Sequence, residues 1–116
     1  MATTLPVVFN DAAWADDLDH STEPARAVAD AARRRLERDG VSTSELRPCR
    51  QDGPLALPRC AKLYLPPPAG QWGLVVRLAV VDDKPVFTTV AFGVRHPTAA
   101  HRPSVYTIAH ERVRGS

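Results

Sequence analysis

A chain of 116 residues supports one domain with one hydrophobic core. Its composition, 44% hydrophobic and 24% charged, is typical of a soluble globular protein, and a net charge of +2 argues against a uniformly basic nucleic-acid binder. The apolar runs are far shorter than the roughly 18 residues of a membrane-spanning helix, and the N-terminus has no basic segment followed by an apolar stretch. We therefore expect a cytoplasmic protein that binds no membrane.

The charged residues are unevenly distributed along the chain. Residues 1–58 hold seven arginines against ten acidic residues, whereas residues 59–116 hold eight lysines and arginines against three acidic residues. Three of the four histidines also lie in the second half. This asymmetry indicates one local anion-binding face, although an ordinary solvated surface shows the same kind of pattern.

The first forty residues predict a short strand followed by two helices. The apolar triplet at 7–9 suits a strand, and Asn10 or Asp11 caps the short helix that follows it. A second helix begins at Thr22-Glu23-Pro24, which combines a capping oxygen, an early acid and a proline, and it ends at Gly40. Apolar residues repeat along one face of this helix at helical spacing: Ala25, Val28, Ala32 and Leu36.

The rest of the chain predicts an antiparallel sheet and a closing helix. Residues 41–58 are rich in polar residues and proline and predict a loop, and Cys60–Leu65 alternate as a strand does. Leu74–Val81 and Val86–Phe92 predict a hairpin, and a short helix is expected from about Pro103 to Val113. Helices followed by antiparallel strands predict an α+β fold.

The two cysteines do not indicate a metal site. Cys49 and Cys60 lack a Cys-x-x-Cys spacing and a paired histidine cluster, so we expect no zinc and no other cofactor. A disulfide between them stays open from the sequence, but two reduced thiols are favoured in a cytosolic protein.

The alternation within the hairpin predicts a basic sheet face. The even positions of its first strand are apolar, so matching apolar faces pairs Val80 with Val86 and brings Arg77 opposite Thr89. The face that carries Arg77 extends toward Arg95, which lies about 20 Å from Thr89 at ~3.3 Å per residue. One face is thus expected to receive the helices and the other to bind an anion, although a solvated open face explains the same alternation.

The order of elements in the second half of the chain carries a family resemblance. The hairpin is followed by Gly93-Val94-Arg95, then by a basic loop with histidines, and then by Val105-Tyr106 at the start of the last helix. This order resembles the C-terminal half of the RelE/ParE-superfamily toxins, small bacterial proteins that mostly act on RNA at the ribosome. The resemblance implies a single domain over residues 1–116, with N-terminal helices packed on one side of a small curved antiparallel sheet and a short C-terminal helix.

The resemblance also assigns roles to individual residues. Arg95 matches the family's arginine after the last long strand, Tyr106 matches its tyrosine near the C-terminus, and Lys62 matches its strand lysine. The family opens the hairpin strand with a Gly-Tyr-Arg-like segment. This chain has Gln71-Trp72-Gly73 there, so the expected strand arginine is absent.

RNA that is cleaved by its own 2′-hydroxyl needs a base, an acid and cations around the phosphate. Arginine suits the cationic role because its planar fork matches phosphate, histidine suits either proton transfer, and tyrosine stacks on bases or donates to phosphate. The candidate catalytic residues are Arg95, His96, Tyr106, Lys62, His101 and His110, and the candidate RNA-binding residues are Arg77, Arg59 and Arg102.

These residues predict a toxin-like endoribonuclease that is ribosome-dependent, needs no metal and is held inactive by a cognate antitoxin protein. Two alternatives stay open. The missing strand arginine favours a ParE-like inhibitor of DNA gyrase. The third possibility is a catalytically inactive interaction module on the same scaffold.

Overall fold

The structure is a computed structural model that describes residues 2–97 and 103–115. Within these residues the strands are β1 (Thr4–Leu5), β2 (Val7–Val8), β3 (Val41–Ser42), β4 (Arg47–Pro48), β5 (Cys60–Tyr64), β6 (Trp72–Val81) and β7 (Lys84–Val94). The helices are α1 (Asp11–Asp19), α2 (Glu23–Asp39) and α3 (Val105–Arg114). Five strands form one sheet in the order β2-β7-β6-β5-β4, in which β2 runs parallel to β7 and the other neighbours are antiparallel. The architecture is α+β, as predicted, but the sheet is mixed and not wholly antiparallel, because β2 joins it parallel to β7.

The three predicted helices are confirmed, and their ends follow local sequence signals. The side chains of Asn10, Thr22 and Ser104 each accept a backbone N–H from the first turn of α1, α2 and α3 respectively. Gly40 ends α2 with a φ of 73°, and a Cβ at this position would collide with the carbonyl of Leu5. No helix in the described ranges is long and apolar enough to cross a bilayer.

Helices pack on both faces of the five-stranded sheet, so the face that was predicted to be basic is not open where α3 covers it. On one face α1 and α2 pack over a core that includes Trp14, Leu74 and Phe92. On the opposite face α3 packs over Val75 and Ala91. The alternate positions of β6 and β7 are therefore apolar on both sides, and the apolar stripe of α3 is what keeps the second side from water.

The register of the hairpin also differs from the predicted one. Val80 pairs with Pro85, not with Val86, and Arg77 lies opposite Thr88, not Thr89. The cause is the tight two-residue turn of Asp82 and Asp83. Their φ values of 52° and 63° are those of a type I′ turn, whose twist matches that of the two strands it connects. Beyond this turn the pairing is displaced by one residue.

A β-bulge restores the predicted pairing in the inner half of the hairpin. Val75 pairs with Ala91 but Val76 pairs with Thr89, so Val90 is the extra residue. From there inward, Leu74 lies opposite Phe92, as the matching of apolar faces requires.

The segment expected to be a loop contributes a strand to the edge of the sheet. The two residues of β4 pair with β5, which places Arg47 opposite Lys62 and Pro48 opposite Ala61. A strand of two residues has too few positions for its alternation to be recognised, so only the pairing with β5 identifies it.

A buried ion pair between Asp17 and Arg112 connects α1 and α3 to β7. The carboxylate of Asp17 on α1 is 2% exposed and accepts the backbone N–H of Phe92 at 2.8 Å. It also accepts two N–H groups of Arg112 on α3, each at 2.8 Å. Arg112 donates in addition to the carbonyl of Val90 at the bulge, at 2.8 Å. The hydrogen bond and the charge of Asp17 raise the pKa of the Arg112 guanidinium in spite of its burial.

Replacing Arg112 should destabilise the fold. We expect Arg112→Met to lower the free energy of unfolding by about 3 kcal/mol, because it removes the guanidinium that neutralises a buried carboxylate and satisfies the bulge carbonyl. Urea unfolding followed by circular dichroism measures the change. The control is Arg38→Met, which breaks the exposed Arg38–Asp39 pair and should leave the midpoint in place. Equal midpoints for the two variants would contradict the role of Arg112.

Candidate functional site

Tyr64, at the end of β5, is surrounded by cations from three separate segments. The guanidinium carbon of Arg95 lies 4.0 Å from the centroid of the Tyr64 ring, that of Arg47 lies 5.1 Å away, and Nζ of Lys62 lies 6.0 Å away. Nζ of Lys62 also lies 4.9 Å from the ring centroid of Tyr106. We refer to these five residues as the Tyr64 cluster. All three charges thus lie within 6.0 Å of one aromatic ring.

Strand pairing accounts for the positions of Arg47, Lys62 and Tyr64 on the α3 face. Lys62 and Tyr64 are two residues apart on β5, so their side chains leave the sheet on the same side. Arg47 lies directly opposite Lys62 on β4, and Tyr64 lies opposite Gly73 on β6. Two cations on adjacent paired positions repel each other, and the π faces of the tyrosines offset part of that cost.

The side chain of Arg95 lies over the sheet, in the space that Gly73 leaves because it has no side chain. A Cβ at Gly73 would lie 3.1 Å from Cγ and 3.3 Å from Cδ of Arg95. Nη2 of Arg95 donates to the carbonyl of Gly70 at 2.8 Å, and its backbone N–H donates to the carbonyl of Gln71 at 2.9 Å. The stem of Arg95 therefore occupies the space above Gly73.

The Tyr64 cluster carries positive charge without a protein counter-ion. In the part of the chain that the structure describes, Arg47, Lys62 and Arg95 form no ion pair with a carboxylate. Nε of Arg95 is in addition buried without a hydrogen-bond acceptor among the described residues. Uncompensated cations and an orphaned donor cost stability, and they are typical of a site whose counter-ion is a ligand.

Tyr106 enters the cluster from the first turn of α3. Its neighbour Val105 is fully buried and packs against Gly93, where a Cβ would lie 3.5 Å from Cβ of Val105. Burial raises the pKa of the Tyr106 hydroxyl, and Tyr64 adds to the rise, while the charge of Arg95 opposes it. The hydroxyl therefore keeps its proton at neutral pH and is available to donate a hydrogen bond to an anion.

The histidines differ in how firmly the structure holds them. Nδ1 of His110 lies 2.8 Å from the carbonyl of Ala56. Because a carbonyl only accepts, Nδ1 is the donor of this hydrogen bond, and the neutral ring that makes it has its lone pair on Nε2. His96 follows Arg95 and is exposed, while His101 and Arg102 lie outside the described residues. His110 stands one helical turn after Tyr106, on the same face of α3.

Two of the predicted RNA-binding residues lie away from the Tyr64 cluster. Arg77 pairs with Cys60 and Thr88, four residues along β6 from Gly73 and about 13 Å away at the usual strand rise. Arg59 is exposed and precedes β5, with a φ of 63°. The structure therefore groups Arg95, Lys62 and Tyr106 but leaves Arg77 and Arg59 apart.

Arg47 and Tyr64 are the residues that the sequence interpretation missed. Tyr64 carried a usable signal, since it lies two positions after Lys62 on a predicted strand and so shares its face. Arg47 carried none, because the pairing of β4 with β5 depends on the tertiary fold.

The two cysteines lie behind the site in the core under α3. Both are free and buried, and burial raises the pKa of the Cys49 thiol and raises that of Cys60 to about 11. Thiols that stay protonated and buried at neutral pH are poor nucleophiles and metal ligands. Among the described residues, no group of three or more His, Cys, Asp or Glu side chains is placed to hold a metal ion.

Comparisons with known proteins give no further information about the site. The chain matches no model of a protein family, no curated protein and no solved structure. Its function is therefore inferred from the geometry of the Tyr64 cluster and from the sequence resemblance.

A methyl group at Gly73 should displace Arg95. We expect Gly73→Ala to weaken binding of the protein to a polyanion, because the new Cβ crowds the stem of Arg95 and moves its guanidinium. Elution from immobilised heparin at lower salt measures the loss. Gly70→Ala is the matched control, since a Cβ there meets nothing within 4 Å. The same elution salt for both variants would show that Arg95 does not depend on the space above Gly73.

Proposed function

We propose that this chain is a RelE-like endoribonuclease that cleaves messenger RNA at the ribosome and is held inactive by a small antitoxin protein. Membership of the RelE/ParE superfamily is part of the proposal. The element order supports it, because two N-terminal helices, an antiparallel hairpin sheet and a closing helix follow one another as the resemblance implies.

One observation carries the proposal. Lys62, Arg95 and Tyr106 were selected by resemblance from three separate segments of sequence, and they lie together around Tyr64. Nothing in the spacing of these residues along the chain requires them to meet. Their convergence on one side of the sheet supports a shared role at one phosphate.

The proposed reaction uses the 2′-hydroxyl of the RNA as the nucleophile. A base takes the proton of this hydroxyl, its oxygen bonds to the adjacent phosphorus, and the bond from phosphorus to the 5′-oxygen breaks as that oxygen receives a proton. The products are a 2′,3′-cyclic phosphate and a free 5′-hydroxyl. Arg95 and Lys62 stabilise the charge on the phosphate oxygens, and Tyr106 donates a hydrogen bond there.

His110 is the favoured base within this proposal. Its Nε2 has the free lone pair, and the carbonyl of Ala56 holds the ring as an orienting acceptor. His96 lacks such an anchor and is exposed. The proton that reaches the 5′-oxygen comes from the Tyr106 hydroxyl or from water.

Inhibition of DNA gyrase in the manner of ParE is the second candidate. The observation that favours it is the glycine at position 73, where the RNA-cleaving pattern has a cation. Arg47 weakens this alternative because it brings another cation to the same cluster. A non-enzymatic interaction module on the same scaffold is the remaining alternative, and it predicts no effect on growth.

Expression of the chain in bacteria should arrest growth, and Arg95→Ala should abolish the arrest. The variant should keep its free energy of unfolding within about 1 kcal/mol, because Arg95 lies outside both core clusters and its loss removes a buried donor that has no acceptor among the described residues. Growth curves measure the arrest, primer extension on ribosome-bound messages locates the breaks, and urea unfolding measures the stability. DNA-damage signalling without message breaks would support the gyrase candidate, and undiminished arrest in Arg95→Ala would remove Arg95 from the mechanism.

His110→Ala should lower the rate of message cleavage, because it removes the ring proposed to take the proton of the 2′-hydroxyl. Single-turnover cleavage of a ribosome-bound message measures the rate. His96→Ala is the matched control and should keep the parent rate. A parental rate in His110→Ala would assign the base elsewhere.

A further inference from the structure

We propose that Arg47 and Tyr64 extend the site into a grip for two neighbouring phosphates of single-stranded RNA. In this arrangement Tyr64 is a positioning residue that gathers the cations, and Arg47 contacts the phosphate next to the one that is cleaved. The identity of the polymer rests on the proposed function. The grip itself rests on the geometry of the Tyr64 cluster.

The placement of Arg47 distinguishes it from the other cations of the cluster. Arg95 is anchored to the carbonyl of Gly70, and Lys62 lies 4.9 Å from the ring of Tyr106. Arg47 instead belongs to β4, the outermost strand of the sheet on this side, and its side chain is exposed. A ligand strand that extends from the site across β4 therefore contacts Arg47.

Tyr64 is the group that the three cations share. The residue is 36% exposed, and its ring is approached by Arg95 from just beyond β7, by Arg47 from β4 and by Lys62 from β5. The negative π face of the ring attracts each of them and holds them closer together than like charges would otherwise stay. An apolar side chain of similar size in place of Tyr64 would lack this face.

The spacing of the charges favours adjacent phosphates over distant ones. All three cations lie within 6.0 Å of one ring centroid. Arg77 does not belong to this group, so the long basic track expected from the sequence is replaced by a compact one. Cations grouped around an aromatic ring are typical of proteins that bind single-stranded nucleic acid through its backbone.

The salt dependence of RNA binding tests the contact of Arg47. The probe is a fluorescein-labelled single-stranded RNA of about 12 nucleotides, with 2′-O-methyl groups that prevent cleavage, and the measurement is fluorescence anisotropy with the full chain. Each phosphate contact contributes about 0.7 to the slope of log K against log salt concentration. We expect Arg47→Gln to reduce the slope by about that amount. Arg34→Gln, on α2 and across the sheet, is the control and should keep the parent slope.

Two substitutions test the positioning role of Tyr64. Tyr64→Phe keeps the aromatic face and should bind the probe as the parent does, whereas Tyr64→Leu should lose affinity about tenfold, the size of effect of a partly desolvated cation–π contact. Circular dichroism melts verify that both variants are folded. A duplex of the same sequence should bind more weakly than the single strand.

The inference is overturned if Arg47→Gln keeps the parent slope, if Tyr64→Leu binds as tightly as Tyr64→Phe, or if the duplex binds equally well. Its failure is distinguishable from that of the proposed function. Probe binding with the expected variant effects but no cleavage of any message would refute the endoribonuclease and leave the grip in place. Cleavage that Arg47→Gln and Tyr64→Leu do not impair would support the endoribonuclease and refute the grip.

Discussion

The buried carboxylate of Asp17 is the contact on which the arrangement of the layers depends. It binds the backbone of β7 on one side and the guanidinium of Arg112 on the other, so one side chain joins α1, β7 and α3. A charged group that is 2% exposed is tolerated only with such partners. The bulge at Val90 supplies the carbonyl that completes the network, and the irregularity of β7 thus becomes a docking point for the last helix.

Docking of α3 is what closes the candidate site. The C-terminal turn of the helix is fixed by Arg112, and its N-terminal turn is fixed by Val105 against Gly93. With both ends held, the ring of Tyr106 lies 4.9 Å from Nζ of Lys62, and Nδ1 of His110 lies 2.8 Å from the carbonyl of Ala56.

Glycines decide where the cations of the site can lie. Gly73 and Gly93 pair across the hairpin. Because neither has a side chain, Arg95 and Val105 of α3 can lie close to the backbone of the sheet at this place. The stem of Arg95 fills the space above Gly73, and the head reaches Tyr64. The path of Arg95 thus depends on the glycine at position 73, since a long side chain there would occupy the same space.

The sequence by itself determined the local structure. Periodicity and capping residues predicted the three capped helices, the strand around Lys62, the hairpin and the α+β class. The register of the hairpin and the packing of the helical layers were decided by the tertiary structure. The turn at Asp82-Asp83 displaced the pairing by one residue, and the bulge at Val90 restored it, which no alternation pattern encodes. The second helical layer, the partnership of Asp17 with Arg112 and the arrival of Arg47 beside Tyr64 each join residues far apart along the chain. Such contacts depend on the packing of whole elements, and for that reason only the folded molecule reveals them.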